Sequence, residues 1–382
     1  MYRSTRVTDY VTLLRVTVGL LGYAVFNVRM RSVMLAGRAE GTSTARQLDV
    51  SLIIPARNEA RNLPSLLTSV AAFDPAPREV IVVDDHSTDD TAAIAASFGV
   101  RVVSPGPLPT GWLGKSWACA AGAAEASSSV LLFTDADTVH SPSLLGRTAA
   151  ALQERKADLV SVLPTHVAVS AWERFQGIFQ LLVLVAAGAG SEGARRERRF
   201  CIGQYLLIRR DAYERIGGHA AVRHRVAEDL GMAWLIERCG LRFELVRAPG
   251  GLNVRMYPEG LGAFIRGWRR NFREGIPTAG VAGTFETVLV LGWLLDVPRW
   301  FLQAVWSGDA RSLGLATAAL GVTWLTVARW QREVGTFRAR EALAYVAFAL
   351  LFVWVSCLAL LDRALGRPVA WRGRSIRAEE LH

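Results

Sequence analysis

The chain has 382 residues, enough for one large domain or two ordinary ones, and its 51% hydrophobic content and mean hydropathy of +0.24 place part of it in lipid. Its net charge of +10 is carried by arginine, with Lys115 and Lys156 the only lysines. Many of the arginines flank apolar runs, where anionic headgroups and the positive-inside bias account for them, so nucleic acid is not the expected partner. The four cysteines, Cys119, Cys201, Cys239 and Cys357, lie far apart without a C-x-x-C pair. That spacing signals neither a zinc site nor a disulfide framework and reads as buried thiols in a reducing compartment.

In chain order, the first element is the apolar run Val11–Val28, which contains Arg15 and is followed by Arg29, Arg31 and Arg38. No small-residue cleavage site comes directly after it, so residues 1–30 read as an anchor rather than a signal peptide, and the arginines put the next part of the chain on the cytoplasmic side. Gly41-Thr42-Ser43-Thr44 reads as a linker. Val50–Ile54, ending at Pro55, is a run of branched apolar residues suited to a buried parallel strand, and Glu59–Val70 then has helical periodicity. Val80–Val83 repeats the pattern, with an acidic turn and a helical Thr91–Phe98 behind it. Val100–Val103 and Val130–Phe133 are further strands. Strands alternating with helices describe an α/β, Rossmann-like, mostly parallel sheet that binds its ligand at the carboxyl edge.

From Ala168 the texture changes. Trp172–Ala187 is aromatic and aliphatic, and reads as a core helix or one docked on the bilayer surface. Ser312–Ala328 and Ala342–Leu361 are spans apolar on all faces. Thr284–Trp306, interrupted by Asp296, Pro298 and Arg299, is either a kinked span or an interfacial helix. The loop 329–340 and the tail 363–377 are both basic, so the positive-inside count leaves the side of the tail open.

Three motifs come after strands in order: Ile53-Ile54-Pro55-Ala56-Arg57-Asn58-Glu59, then Val82-Val83-Asp84-Asp85-His86-Ser87-Thr88-Asp89-Asp90-Thr91, then Thr134-Asp135-Ala136-Asp137. A lone D-x-D at a strand end is as much a turn former as a site for Mg2+ or Mn2+. The ordered set, however, closely resembles the family 2 glycosyltransferases of the GT-A fold, over about residues 50–275. The resemblance implies that Pro55, Ala56, Arg57 and Glu59 line a nucleoside pocket and that Asp84 or Asp85 accepts from the base. It assigns the metal to Asp137 and Asp135, with Asp137 as the direct ligand and Asp135 at the ribose or a metal-bound water. A strand-end carboxylate can accept the imino hydrogen of uracil, while an Asx turn on Asp84 or Ser87 capping the next helix is compatible with that role.

Glu228-Asp229 matches the later acidic motif of the same family, whose aspartate is the general base; by itself the pair is also what a helix N-terminus favours. Gly203-Gln204 falls where the family has its acceptor-side loop, which makes Gln204 a candidate sugar or acceptor contact. The stretch Gly111-Trp112-Leu113-Gly114-Lys115-Ser116-Trp117 is not a phosphate loop of the G-x-x-x-x-G-K-S type, because Pro109 stands where the first glycine belongs. It resembles a G-W-x-G-K-x-W segment of enzymes that glycosylate carotenoid acids or hopanoids, with Lys115 placed either at the diphosphate or in a solvated loop. Gly188-x-Gly190-x-x-Gly193 comes after a helical run and precedes an arginine cluster, so it is no dinucleotide fingerprint.

Arg266-Gly267-Trp268-Arg269-Arg270-Asn271 occupies the place of the Q-x-x-R-W of processive polysaccharide synthases but lacks its glutamine and order, which argues against a polymerase. Trp268, Arg269 and Arg270 are candidates for the acceptor and diphosphate, or for an interfacial belt. His86, His140, His166, His219 and His224 show no ligand spacing and read as surface or turn residues.

The expected organisation is an anchor at 1–30, a GT-A catalytic domain at 48–280, a C-terminal module of two or three spans at 284–361 and a basic tail at 362–382. The site lies on the cytoplasmic side of a multi-pass inner-membrane protein. The resemblance implies inverting, non-processive transfer of a hexose from a nucleotide-sugar, with UDP the expected nucleotide, to a carotenoid, hopanoid or other lipid acceptor. The alternatives are a polyprenyl-phosphate sugar synthase and a non-catalytic scaffold that binds nucleotide-sugars.

Overall fold

The computed structural model describes residues 2–35, 49–188, 201–367, 369–371 and 374–376. The Gly41–Thr44 linker, the glycine pattern beyond Gly188, the arginines at 195–199 and much of the basic tail lie outside the described residues. The chain divides into two compact units: a helical one (Met1–Leu35, Ala168–Ala194, Tyr257–Leu361) and an α/β one (Ala36–Val167, Arg195–Met256, Asp362–His382).

The helical unit opens with α1 (Tyr2–Leu35). The α/β unit then runs β1 (Val50–Ala56), α2 (Leu63–Ala71), β2 (Glu79–Asp84), α3 (Thr91–Ser97), β3 (Arg101–Val103), α4 (Gly114–Glu125), β4 (Val130–Thr134), β5 (Thr138–His140), α5 (Leu144–Glu154), β6 (Leu159–Leu163) and β7 (Thr165–His166). After α6 (Gln176–Ala187), which belongs to the helical unit, it resumes with β8 (Tyr205–Arg209), α7 (Arg210–Arg215), α8 (Glu228–Arg238), β9 (Phe243–Arg247) and β10 (Leu252–Val254). Helices α9 (Leu261–Ser307), α10 (Ala310–Val334) and α11 (Tyr345–Ala364) complete the helical unit.

The main sheet has the order β3-β2-β1-β4-β8-β6-β9, with β8 antiparallel to both neighbours and every other pair parallel. Its central strands are apolar throughout because both faces are covered. The side chains alternate: Leu52, Ile54, Val82, Val130 and Leu132 enter one core, while Ile53, Ile81, Val83, Leu131 and Phe133 enter the other. The four strands read from the sequence are present. The helix expected from Glu59 begins only at Leu63, since Asn58 takes a left-handed conformation (φ 54°) and Glu59 gives its N–H to the Thr91 hydroxyl at 2.8 Å. Because β1, β2 and β4 are parallel, their carboxyl ends share one edge, and antiparallel β8 begins at that same edge. A small sheet, β5-β10-β7, extends from it.

In the helical unit, α6 is buried from Gln176 to Leu182 and again at Leu184 and Val185, so Gln176–Ala187 is a core helix, while Trp172–Phe175 before it forms a separate 3-10 turn in which only Glu173 is buried. Gly188, in the left-handed region, caps α6, the ordinary use of a glycine after a helix. The stretch Thr284–Trp306 lies within a helix that runs on through Pro298; the backbone break falls earlier, at Gly280 (φ 63°, ψ −175°). Among the described residues three helical segments are long and apolar enough to cross a membrane, Leu261–Ser307, Ala310–Val334 and Ala339–Ala364. Their outward faces expose large apolar side chains such as Val281, Phe285, Trp306, Leu325 and Trp354, as lipid-facing helices do.

Two expectations about burial are corrected. Cys119 and Cys201 are buried, but Cys239 is half-buried and Cys357 lies exposed on α11, where an apolar thiol needs no shelter if lipid surrounds it. His140, His166 and His219 are core residues rather than surface ones. Desolvation lowers their pKa values to about 3, 4 and 3, so each stays neutral.

Candidate active site

The carboxyl edge collects the acidic motifs. Ala56 and Asp84 are partners in the β1–β2 register, and the Asp85 N–H reaches the Ala56 carbonyl at 2.8 Å. Arg57 donates to the Asp85 carbonyl at 2.6 Å and lies 3.8 Å from its carboxylate, so the arginine after β1 braces the turn after β2. Pro55, the penultimate residue of β1, lies opposite Val83. Glu59 is buried and accepts from Asn62 at 2.8 Å. Asp84 accepts from the Ser87 N–H at 3.3 Å, but neither residue caps the next helix as the sequence suggested: α3 begins at Thr91, whose N–H goes to Asp89 at 3.1 Å, and Asp85 meets His86 at 3.3 Å. Both aspartates are buried.

Beyond β4, the turn that carries Asp135 and Asp137 is pinned from behind. The Thr138 hydroxyl donates to the Asp135 carbonyl at 2.8 Å; the Thr134 hydroxyl donates to the Gln204 carbonyl at 2.8 Å; both hydroxyls lie within 3.1 Å of His140 Nε2. Gln204 therefore holds β4 through its backbone carbonyl.

Lys115, in the first turn of α4, places its ammonium 2.7 Å from Asp135 and 2.6 Å from Glu228. A helix N-terminus disfavours a cation, so these two carboxylates are what hold it there. Burial alone would lower its pKa; Asp135 and Glu228 outweigh that and keep it well above the usual lysine value. Glu228 and Asp229 open α8, where the dipole favours acids. Asp229 is pushed well above the usual carboxylate range by desolvation and by the adjacent Glu228, against Lys115 and the N–H groups of Gly203 and Leu230, which donate to it at 2.9 and 2.8 Å. A carboxyl group poised to titrate near neutral pH is suited to general-base work.

Sequence reasoning missed Gly203 as a functional position. A Cβ there would lie 3.2 Å from the Asp229 Cβ and Oδ2 and from Glu228 Oε1, a tight approach that a side chain could make only by displacing the two carboxylates by a few tenths of an ångström. A glycine two residues before the strand β8 was the available signal.

Among the described residues no three of His, Cys, Asp and Glu converge into a ready-made metal cage. Asp135 and Asp137 nevertheless present hard oxygens in one short turn, the ligand type Mg2+ or Mn2+ takes when diphosphate and water complete its shell. Trp268, Arg269 and Arg270 lie on α9 in the helical unit. The Trp268 ring packs against Phe179, Phe264 and Phe272, and its N–H donates to Gln176 at 3.0 Å, so packing accounts for it.

A mostly parallel sheet with one antiparallel strand and acidic motifs on its carboxyl edge is the architecture of GT-A transferases. The chain belongs to the family 2 glycosyltransferases: the profile described as Glycosyl transferase family 2 matches residues 51–231, and a 4,4'-diaponeurosporenoate glycosyltransferase of Staphylococcus aureus (strain USA300) is 31% identical over 318 residues, covering 80% of this chain and 81% of that one. A protein of the same name from Staphylococcus haemolyticus (strain JCSC1435) is 28% identical over 384 residues, covering 96% and 98%. A mannosyltransferase from Pyrobaculum calidifontis, solved with GDP-Man and Mn2+, shares the fold at 15% identity with a TM-score of 0.51, over 92% of this chain and 99% of that one.

Proposed function

We propose that the protein transfers a hexose from a nucleotide-sugar, UDP being the expected nucleotide, to a lipid-like acid or alcohol at a membrane, once per acceptor and with inversion at the anomeric carbon. The observation that carries this reading is the convergence of Asp135, Lys115, Glu228 and Asp229 at the carboxyl edge of a GT-A sheet. Nucleoside contacts fall to Pro55, Ala56, Arg57, Glu59, Asp84 and Asp85. Asp137 and Asp135 would hold Mg2+ or Mn2+, whose chemistry is to neutralise the departing diphosphate. Asp229 takes the acceptor's proton as its oxygen attacks the sugar.

The acceptor class rests on two supports. Three helical segments are apolar enough to cross a membrane, and the staphylococcal relatives are named for 4,4'-diaponeurosporenoate, a name that denotes a carboxylate. A carboxylic acid presented from lipid keeps its proton by the same desolvation that raises Asp229, so the two groups are matched for proton transfer. The catalytic unit is assigned to the cytoplasmic side of the inner membrane, on the strength of Arg31 near the end of α1 and Arg38 beyond it.

The test is to incubate membranes containing the protein with radiolabelled nucleotide-sugars, with and without Mn2+, and to analyse the lipid extract. Label is expected in one lipid product, dependent on Mn2+ or Mg2+ and lost with Asp137→Ala. Label only in soluble polymer, or unchanged labelling by the Asp137→Ala variant, sinks the reading.

A further inference from the structure

Lys115 stands where a metal ion would compete with it. Its ammonium bonds Asp135 Oδ1 at 2.7 Å and Glu228 Oε1 at 2.6 Å, and its side chain is only 22% exposed. Three elements meet on that one charge: the first turn of α4, the end of β4 and the first turn of α8. An oxygen that binds an ammonium at this distance cannot also bind a divalent ion at about 2.0–2.2 Å without bringing two cations into repulsion. The helix N-terminus behind Lys115 adds to that repulsion, since it too carries positive character. A diphosphate changes the balance, because it brings enough negative charge to take the ammonium and to share the metal.

We propose that Lys115 is an internal counterion that closes Asp135 to free metal, so that the site takes a divalent ion only together with a nucleoside diphosphate group. The inference rests on the reading of Asp135 and Asp137 as the metal-holding turn, with Asp135 itself a ligand of the ion rather than a contact of the ribose or of a metal-bound water. It gives Lys115 a role before chemistry begins: Lys115 moves from Asp135 to the diphosphate as the donor enters. The residue is thus a positioning group for metal entry, and its effect is visible in binding as well as in turnover.

Equilibrium dialysis of the full-length protein in detergent against radioactive Mn2+, alone and with UDP or GDP, tests this directly. Wild type is expected to retain Mn2+ at least tenfold more tightly with a nucleoside diphosphate than without. Lys115→Met is expected to retain Mn2+ without nucleotide at least tenfold more tightly than wild type, Lys115→Arg to behave as wild type, and Asp135→Asn added to Lys115→Met to abolish the gain. The wild-type comparison needs no variant to fold. Equal retention by wild type with and without nucleotide overturns the proposal, as does a folded Lys115→Met protein that gains nothing. If wild type takes up Mn2+ with nucleotide and Lys115→Met gains nothing, the metal site stands and the gate falls. If no protein retains Mn2+ under any condition, the metal reading falls and the gate with it.

Discussion

Asp229 is where the proposed chemistry is most exposed to test. Asp229→Asn keeps the shape but cannot take a proton, so turnover is expected to fall by about 10²–10⁴-fold, while the loss of one of the two oxygens that accept from Gly203 and Leu230 costs about 1–3 kcal/mol in thermal unfolding, too little to explain the fall in rate. The base works when ionised, and desolvation and Glu228 raise its pKa, so activity should rise with pH along a limb near neutrality rather than in the range of an exposed carboxylate. Glu228→Gln removes the like charge beside it, and the limb should move to lower pH; a limb that stays put in a pH profile of kcat/KM would separate Asp229 from the rate. Asp84-Asp85 and Asp135-Asp137 were legible in the sequence because each pair sits at the carboxyl end of an apolar strand, whereas Glu228-Asp229, at the start of α8, was legible only through its likeness to the family's later acidic motif. The hold on Asp229 was not, because the Gly203 N–H reaches it only through β8 lying antiparallel beside β4, and nothing local in the sequence sets that strand's direction. Buried His140 was hidden for a similar reason: its partners Thr134 and Thr138 are close in sequence, but the β5–β10 pairing that encloses it is not.

Helix α4 shows how an element delivers a charge to the site. It docks on β1 and β2 through Gly122, where a Cβ would come within 2.5 Å of Ile53 Cγ2 and 2.8 Å of Val83 Cγ2. Both neighbours are branched core side chains that cannot swing away. Gly122→Ala is therefore expected to lower stability by about 1–3 kcal/mol, measured by thermal unfolding, and to lift α4 from the sheet. Because Lys115 rides on the same helix, KM for the nucleotide-sugar should rise with little change in the pH limb set by Asp229; a variant destabilised with KM unchanged would show that α4 yields locally and leaves Lys115 in place. The strands themselves were legible as continuous apolar runs, which only burial on both faces permits. The true start of α2 was not, since the left-handed turn at Asn58 interrupts a stretch whose apolar spacing is helical.

The organisation of the whole chain was the least legible level. The first apolar run reads as a separate anchor, and its arginines as a topological flank. In the structure α1 belongs to one helical unit with α6, α9, α10 and α11. It lies antiparallel to α9, with Arg15 on Asp296 at 2.9 Å and Arg29 in a two-pronged pair with Glu286 at 2.6 and 2.8 Å. Gly22 lets the backbones meet, since a Cβ there would stand 2.2 Å from the Leu289 carbonyl. No local pattern announces partners more than 250 residues apart in the chain. The Arg29 and Glu286 side chains are only 19% and 17% exposed, so removing one strands the other in a poorly solvated place. Arg29→Ala or Glu286→Ala should each cost about 1–3 kcal/mol, less than a fully buried pair because some solvent reaches both groups. The double variant should cost less than the sum of the two, and the swap Arg29→Glu with Glu286→Arg should recover part of the loss. Thermal unfolding of the four proteins in detergent closes the cycle; strict additivity would mean that α1 is held to α9 by packing at Gly22 and that the charges serve only to orient the helix in the membrane.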